Sequence, residues 1–265
     1  MSTGKRANWQ LPPGVSPGTW DYVQSDHIAE EYDEFFAASP LFNVDESIVR
    51  GVVQENDWVI DLGAGTGRSI LPLARRGFPC VALDLSLPML RVIEEKSRQE
   101  GLNVECIQAN MVELDAIADC SFQYAICLFS TLGMIRGREN RAAAMAHIRR
   151  ILKPGGKFVL HVHNFWHSLT DAAGRVRVLK HLLTLPFRRA DERGDRYYPY
   201  RGLPNMFLHT FSRRELKRLI RDAGLQIERF IPLQTGGGGE LSRRWLLPGI
   251  RANGWVVVCR RDEAS

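Results

Sequence analysis

No run in the 265 residues approaches the roughly 18 consecutive apolar positions that a membrane-spanning helix needs, so a helical membrane span is excluded. The residues before Trp20 are polar, hold Pro12, Pro13 and Pro17, and lack an apolar centre, so no signal peptide is expected. Only five cysteines occur, without paired spacing. Cys80, Cys106, Cys127 and Cys259 fall in strand-like apolar runs and read as reduced core residues. No metal site is expected, and the natural location is cytoplasmic. The excess of positive charge is small: a net +5 permits an anionic partner without requiring one. With 45% hydrophobic and 25% charged residues, the chain suits one large domain or a domain with an insertion.

One stretch organises the rest: Val59-Ile60-Asp61-Leu62-Gly63-Ala64-Gly65-Thr66-Gly67-Arg68-Ser69. The apolar run from Trp58 to Leu62 predicts a short buried strand, and a helical pattern runs from about Ser69 to Arg76. Between them, alternate glycines let the main chain turn sharply and approach a ligand with no Cβ in the way. The helix that follows offers unpaired N–H groups near the same place. The Gly-x-Gly-x-x-Gly spacing of dinucleotide sites is missing, because position 68 is arginine. Asp61 sits where a carboxylate can face a cationic group. The next apolar run, Pro79 to Leu83, leads to Asp84, an acid able to accept from both ribose hydroxyls of a nucleoside. The plain alternative for Asp84 is a turn residue at a helix entry. Ser86 caps the next helix, which ends at Gly101.

The glycine stretch with Asp84 resembles motif I and the second strand of the class I S-adenosylmethionine methyltransferases. Ile151-Leu152-Lys153-Pro154-Gly155-Gly156-Lys157-Phe158 matches a later segment of the same family. The resemblance covers roughly residues 28–164 and 209–261. It implies an α/β fold, a three-layer αβα sandwich around a mostly parallel seven-stranded sheet. The implied order is 3-2-1-4-5-7-6, with strand seven antiparallel and a cap insertion after strand five. The implied cofactor is S-adenosylmethionine, leaving as S-adenosylhomocysteine. Asp61, Gly63, Ala64, Gly65, Thr66 and Gly67 would surround its methionine part, Asp84 and Leu85 the ribose, and Asn110 and Met111 the adenine. Relatives often carry Asp at the position of Asn110, whose carbonyl can still accept from the adenine amino group. Phe129 and Tyr32 complete the set, with a plain core aromatic as the alternative for Tyr32. Ile28 to Asp33 resembles a segment that lids the cofactor.

Taken in order, the chain divides into a mobile tail (1–18), a helical lid (19–56), the Rossmann-like core (57–164), a basic cap (165–205), and a C-terminal section (206–265) completing the sheet. The lid shows helical patterns over 19–38 and 44–54. Strands are expected at 103–107, 122–129, 157–162, 225–233 and 255–260, with a helix from Arg138 to Leu152. Ser212-Arg213-Arg214-Glu215 is a capping box opening a helix to Ala223. The cap holds eight basic residues against four acids. Ser168–Leu185 looks helical, and Arg188–Arg201 extended with Tyr197, Tyr198 and Tyr200. These tyrosines and arginines could stack bases and hold phosphates, or form a solvated basic face.

Ser130 and Thr131 follow strand four at the switch point of the sheet, where an acceptor should sit, and with Tyr198 and Arg201 they are the candidate substrate contacts. No Asp-Pro-Pro-Tyr or Asn-Pro-Pro-Tyr motif of adenine amino-group methyltransferases stands there, and no cysteine for attack on a pyrimidine carbon. Methyl transfer from a sulfonium needs chiefly alignment and exclusion of water, while an oxygen acceptor also needs a base. His163 and His209 are the candidate catalytic bases, His161 shares strand parity with His163, and a structural role is the alternative for each. Leu208-His209-Thr210-Phe211 resembles an element of tRNA wobble-uridine carboxymethyl methyltransferases, and also one of many small-molecule methyltransferases. The expectation is an S-adenosylmethionine-dependent methyltransferase (EC 2.1.1.-) acting on oxygen, nitrogen or carbon of a small molecule. The alternatives are a tRNA-modifying enzyme with RNA as partner and a non-catalytic S-adenosylmethionine-binding regulator. An oxidoreductase comes last. Oligomeric state has no sequence signal.

Overall fold

The computed structural model describes residues 10–36, 41–184, 192–237, 239–243 and 245–263. Four helices come first: α1 (Pro17–Val23), α2 (Asp26–Glu30), α3 (Tyr32–Phe36) and α4 (Leu41–Val52). Then follow β1 (Val59–Leu62), α5 (Ile70–Arg75), β2 (Cys80–Asp84), α6 (Leu87–Glu100), β3 (Val104–Gln108), β4 (Phe122–Cys127), α7 (Arg138–Ile151) and β5 (Leu152–His163). Past β5 come α8 (Ala172–Thr184), β6 (Asp195–Tyr200), β7 (Leu203–His209), α9 (Arg213–Asp222), β8 (Leu225–Leu233), α10 (Pro248–Arg251) and β9 (Gly254–Arg261).

Seven strands form one sheet in the order β3-β2-β1-β4-β5-β9-β8. The five strands β1 to β5 pair in parallel, and β9 runs antiparallel to both β5 and β8. This is the expected order, with β8 and β9 as the sixth and seventh strands of the sheet. Alternate strand residues feed opposite faces, so two apolar layers form. Ile60, Leu62, Ala125 and Cys127 meet Ala144, Met145 and Ile148 of α7 and Leu216 and Ile220 of α9. Val59, Cys80, Ala82 and Ile126 meet Ile48 and Val52 of α4, Ile70 and Leu73 of α5, and Leu90 and Ile93 of α6. Among the described residues no helix is long and apolar enough to cross a membrane.

Three differences from the sequence reading matter for the site. The lid is broken into α1, α2 and α3, because Ser16 caps α1 through its hydroxyl and Ser25 begins α2 in an extended conformation. Residues expected as a free tail are packed from Pro13 on: the Pro13 carbonyl accepts from Asn110 Nδ2 at 2.9 Å and the Gly14 carbonyl from Arg136 N at 2.7 Å. Third, the extended half of the cap is a hairpin, β6 paired with β7 in a sheet of its own, so it crosses the expected boundary at 205. Arg188 and Arg189 of the expected extended stretch lie outside the described residues. The hairpin packs on α1 so closely that a Cβ on Gly18 would stand 1.9 Å from the Asn205 carbonyl oxygen.

Candidate active site

The site begins at the carboxyl end of β1, whose four residues, Asp61 among them, are all buried. Gly63, Gly65 and Gly67 all take left-handed φ values (+84°, +55° and +86°), which side chains with a Cβ rarely adopt. Gly63 and Gly67 are also sterically required: added Cβ atoms would meet Thr131 Cγ2 at 2.3 Å and Leu71 Cδ1 at 2.9 Å. Gly65 differs. Above it a Cβ would meet nothing nearer than Tyr32 Cε1 at 3.9 Å, so its surroundings are open for a ligand. The loop is moored to β2 by Gly63 N and Ala64 N, which donate to the Leu83 carbonyl at 2.7 and 3.0 Å.

Asp84 closes the arrangement. Its Oδ2 accepts from Gly65 N and its Oδ1 from Ser86 N, each at 2.8 Å. Burial pushes its carboxyl up, and the N–H groups of Ser86, Gly65 and Leu85 oppose that. Asp61 has no such donors to its side chain among those that shift it. Burial, with the Asp84 charge added, pushes its carboxyl up to about 8. Two withdrawn carboxyl groups therefore face one cleft, a setting that favours a cationic ligand group.

The cleft, with about 1110 Å³ of empty space including its mouth, takes in Asp61, Gly63, Ala64, Gly65, Asp84, Leu85, Asn110, Met111, Phe129, Thr131 and Tyr32 from the expected site. Asn110 Oδ1 accepts from Val112 N at 3.1 Å, and its amide is spent on Pro13, so a lone pair of the carbonyl is what it can offer a ligand. The lid closes over the loop through α3. Asp33 Oδ1 accepts from Thr66 Oγ1 at 2.6 Å, Asp33 Oδ2 pairs with Lys96, and Lys96 Nζ donates to the Thr66 carbonyl at 3.0 Å. Burial pushes the Asp33 carboxyl up, but Lys96 and Thr66 outweigh it and hold the group below its usual value.

Other expected site residues lie elsewhere. Thr66 and Gly67 support the loop from behind and do not line the cleft. Ser130 is 1% exposed, and its hydroxyl accepts from His163 N at 3.2 Å, so it ties β4 to β5 rather than facing an acceptor. Arg201, at the hairpin turn, donates to the Ile28 carbonyl and to Glu31, clasping the lid. Tyr198 and His163 line a second cavity between β5, α8 and the hairpin. Burial, then His161, Arg196 and His167, push the His163 imidazole down to about 3. His209 is fully buried with both ring nitrogens engaged, Nδ1 with Asp195 at 2.7 Å and Nε2 with Glu215 at 2.8 Å. It joins β6, β7 and α9 and does not reach the cleft, so a role as catalytic base is withdrawn. The sequence reading missed Asp45, Tyr22 and Arg68, which all line the cleft. Tyr22 falls on the lid's periodic apolar face, a usable signal. Asp45 had none, since its site partner is remote in the chain.

Comparison with known proteins agrees with this fold. Residues 59–156 match the family model of a methyltransferase domain. Demethylmenaquinone methyltransferase from Renibacterium salmoninarum is 35% identical over 102 residues, 38% of this chain and 39% of that protein. The crystal structure of a SAM-dependent methyltransferase from Methanosarcina mazei has a TM-score of 0.67 at 24% identity, covering 82% of this chain and 98% of that one. A Burkholderia thailandensis 1,6-didemethyltoxoflavin-N1-methyltransferase, solved with 1,6-didemethyltoxoflavin and S-adenosylhomocysteine, gives 0.61 at 18% identity, covering 96% and 93%. The chain spans about half or less of the length of the curated relatives it matches, 51%, 47% and 38% for three of them. Sheet order and glycine loop together define a Rossmann-like methyltransferase fold. Residues 59–156 match a methyltransferase domain, and the chain around them has the fold of the S-adenosylmethionine-dependent methyltransferase structures it resembles.

Proposed function

We propose that the protein is an S-adenosylmethionine-dependent methyltransferase acting on a small-molecule acceptor. The observation that carries this reading is the cleft itself: an open space over Gly65, two withdrawn carboxyl groups beside it, and a lid latched to the loop by Asp33. The residues present fit the cofactor. Gly63, Ala64 and Gly65 give room for its amino acid part, Asp61 a partner for its positive charge, Asp84 acceptors for ribose hydroxyls, and Asn110 with Met111 a wall for the adenine. S-adenosylmethionine supplies an electrophilic methyl group on a sulfonium. The protein's part is to orient the acceptor toward it and keep water out, which the lid and the Phe129–Thr131 turn do.

A small acceptor is favoured because lid residues Thr19, Tyr22, Val23 and Tyr32 line the cleft and the hairpin packs on that lid. Arg201 of the hairpin is committed to α2 and to Glu31 beside it. The tRNA reading rests on the basic cap and on the His209 stretch, and His209 is buried between Asp195 and Glu215. The test uses methyl-labelled S-adenosylmethionine and a cell extract separated into RNA, protein and low-mass fractions. Label in the low-mass fraction, lost with Asp84→Ala, supports the proposal. Label in RNA replaces the acceptor class, and tight cofactor binding with no label in any fraction leaves a binding protein.

A further inference from the structure

Asp45 and His161 form a buried pair that the reading above does not use. Asp45 Oδ2 accepts from His161 Nδ1 at 2.7 Å, with Asp45 2% and His161 0% exposed. That bond places the imidazole proton on Nδ1. Two polar atoms of the pair, Asp45 Oδ1 and His161 Nε2, are buried with no hydrogen-bond partner among the described residues. An orphaned carboxylate oxygen is costly to bury, so its retention calls for an explanation. Asp45 belongs to the wall of the cleft that holds Asp61, Gly65 and Asp84.

Position across the sheet tells which end of the cleft this is. Asp84 ends β2, and His161 lies near the carboxyl end of β5, with β1 and β4 between them. Three strand spacings of ~4.8 Å put the pair about 14 Å from the ribose end. Phe129 and Ser130 stand between, consecutive non-glycine residues at φ +55° and +66°, and Ser130 N donates to the His161 carbonyl at 2.9 Å. Strained backbone at a strand end is held by its surroundings and gathers at functional sites. Here it brings Phe129 into the cleft beside the pair, its ring 6.1 Å from that of His161.

We propose that Asp45 is the proton acceptor of the methyl-acceptor site, positioned by His161, and that methylation falls on a nitrogen or oxygen still carrying hydrogen. This rests on the methyl-transfer reading. The acceptor's N–H or O–H donates to Asp45 Oδ1, which turns a lone pair of the same atom toward the methyl group. As the new bond from methyl to nitrogen or oxygen forms and the methyl–sulfur bond breaks, the hydrogen passes as a proton to Oδ1. The sulfonium charge is neutralised and no oxidant is needed. A C–H acceptor would leave Oδ1 without a donor.

The test compares wild type with Asp45→Asn, His161→Asn and His161→Ala, with folding checked by circular dichroism. Cofactor affinity is read by calorimetry with S-adenosylmethionine, and turnover by methyl label entering the low-mass extract fraction. Asp45→Asn should leave cofactor affinity unchanged and lower turnover by about 100-fold, the scale of a lost general base. His161→Asn, whose amide stands where Nδ1 stood, should keep more turnover than His161→Ala. Nitrogen-15 spectra should show His161 protonated at Nδ1. Wild-type turnover in Asp45→Asn, or a cofactor affinity that falls as far as turnover, overturns the proposal for Asp45 alone. A wild-type protein that binds S-adenosylmethionine and labels nothing overturns the methyl-transfer reading and this role with it.

Discussion

Gly65 N donates to Asp84 Oδ2 at 2.8 Å, so the middle of the glycine loop and the end of the second strand are one unit before any ligand arrives. Removing the carboxylate therefore does two things: it frees the loop and takes away the ribose acceptors. Asp84→Ala should weaken S-adenosylmethionine binding by the ~1.5–3 kcal/mol of a charge-assisted hydrogen bond, roughly ten- to a hundredfold. Calorimetry reads this directly. Unchanged affinity would remove Asp84 from the site.

Asp61 sets a pH dependence. Its carboxyl, pushed up from 3.8 to about 8 by burial and by Asp84, is protonated in the folded protein over a range where the unfolded chain ionises. The folded state binds the extra proton, so this group's contribution to stability falls as pH rises from about 4 through 8. Asp61→Asn should accordingly raise the melting temperature more at pH 8.5 than at pH 5, while weakening cofactor binding. A cationic ligand draws the group back to its ionised form. Binding near pH 6.5 should thus release a proton, seen as different calorimetric heats in phosphate and Tris. Equal heats in the two buffers would show that Asp61 does not face the charge.

What could be read in the sequence was local. The glycine loop, Asp84, the Ser86 cap and the Ser212–Glu215 capping box depend on residues a few positions apart, and each stands where its spacing placed it. Sheet order came from the family resemblance. Pairings between distant segments were not legible: Asp45 with His161, Arg201 with Glu31 and Thr66 with Asp33 join parts of the chain that no periodicity connects. His209 shows the same limit from another side. Its motif named a residue type suited to catalysis, but its role is decided by Asp195 across the hairpin and by the cap residue Glu215.

His209 should behave as a structural clamp. Burial lowers its imidazole, but the hydrogen bonds to Asp195 and Glu215 outweigh this and raise it above 6.5. Its charged form is favoured in the folded state, so its stabilisation is complete below pH 6.5 and is lost as pH rises through the raised value. His209→Gln leaves the buried Asp195 without its cation and should cost ~3 kcal/mol. The deficit in melting temperature should narrow above neutral pH, with cofactor affinity unchanged. A deficit constant across pH would mean that the loss is one of packing alone.

Asp33 should govern how long the cofactor stays. It holds α3 to the glycine loop through Thr66 and Lys96 in a partly exposed network, so its effect on global stability is small. The lid, however, carries Tyr32 over Gly65, so a looser latch should let a ligand leave faster. Asp33→Asn keeps the shape of the side chain and removes the charge that pairs with Lys96. A loss of up to ~1 kcal/mol from the latch corresponds to a dissociation rate raised by about threefold to fivefold, with association little altered. Stopped-flow chase of S-adenosylhomocysteine measures both rates. A slower association at unchanged dissociation would instead make Asp33 part of the entry path, and Lys96→Met should then reproduce it.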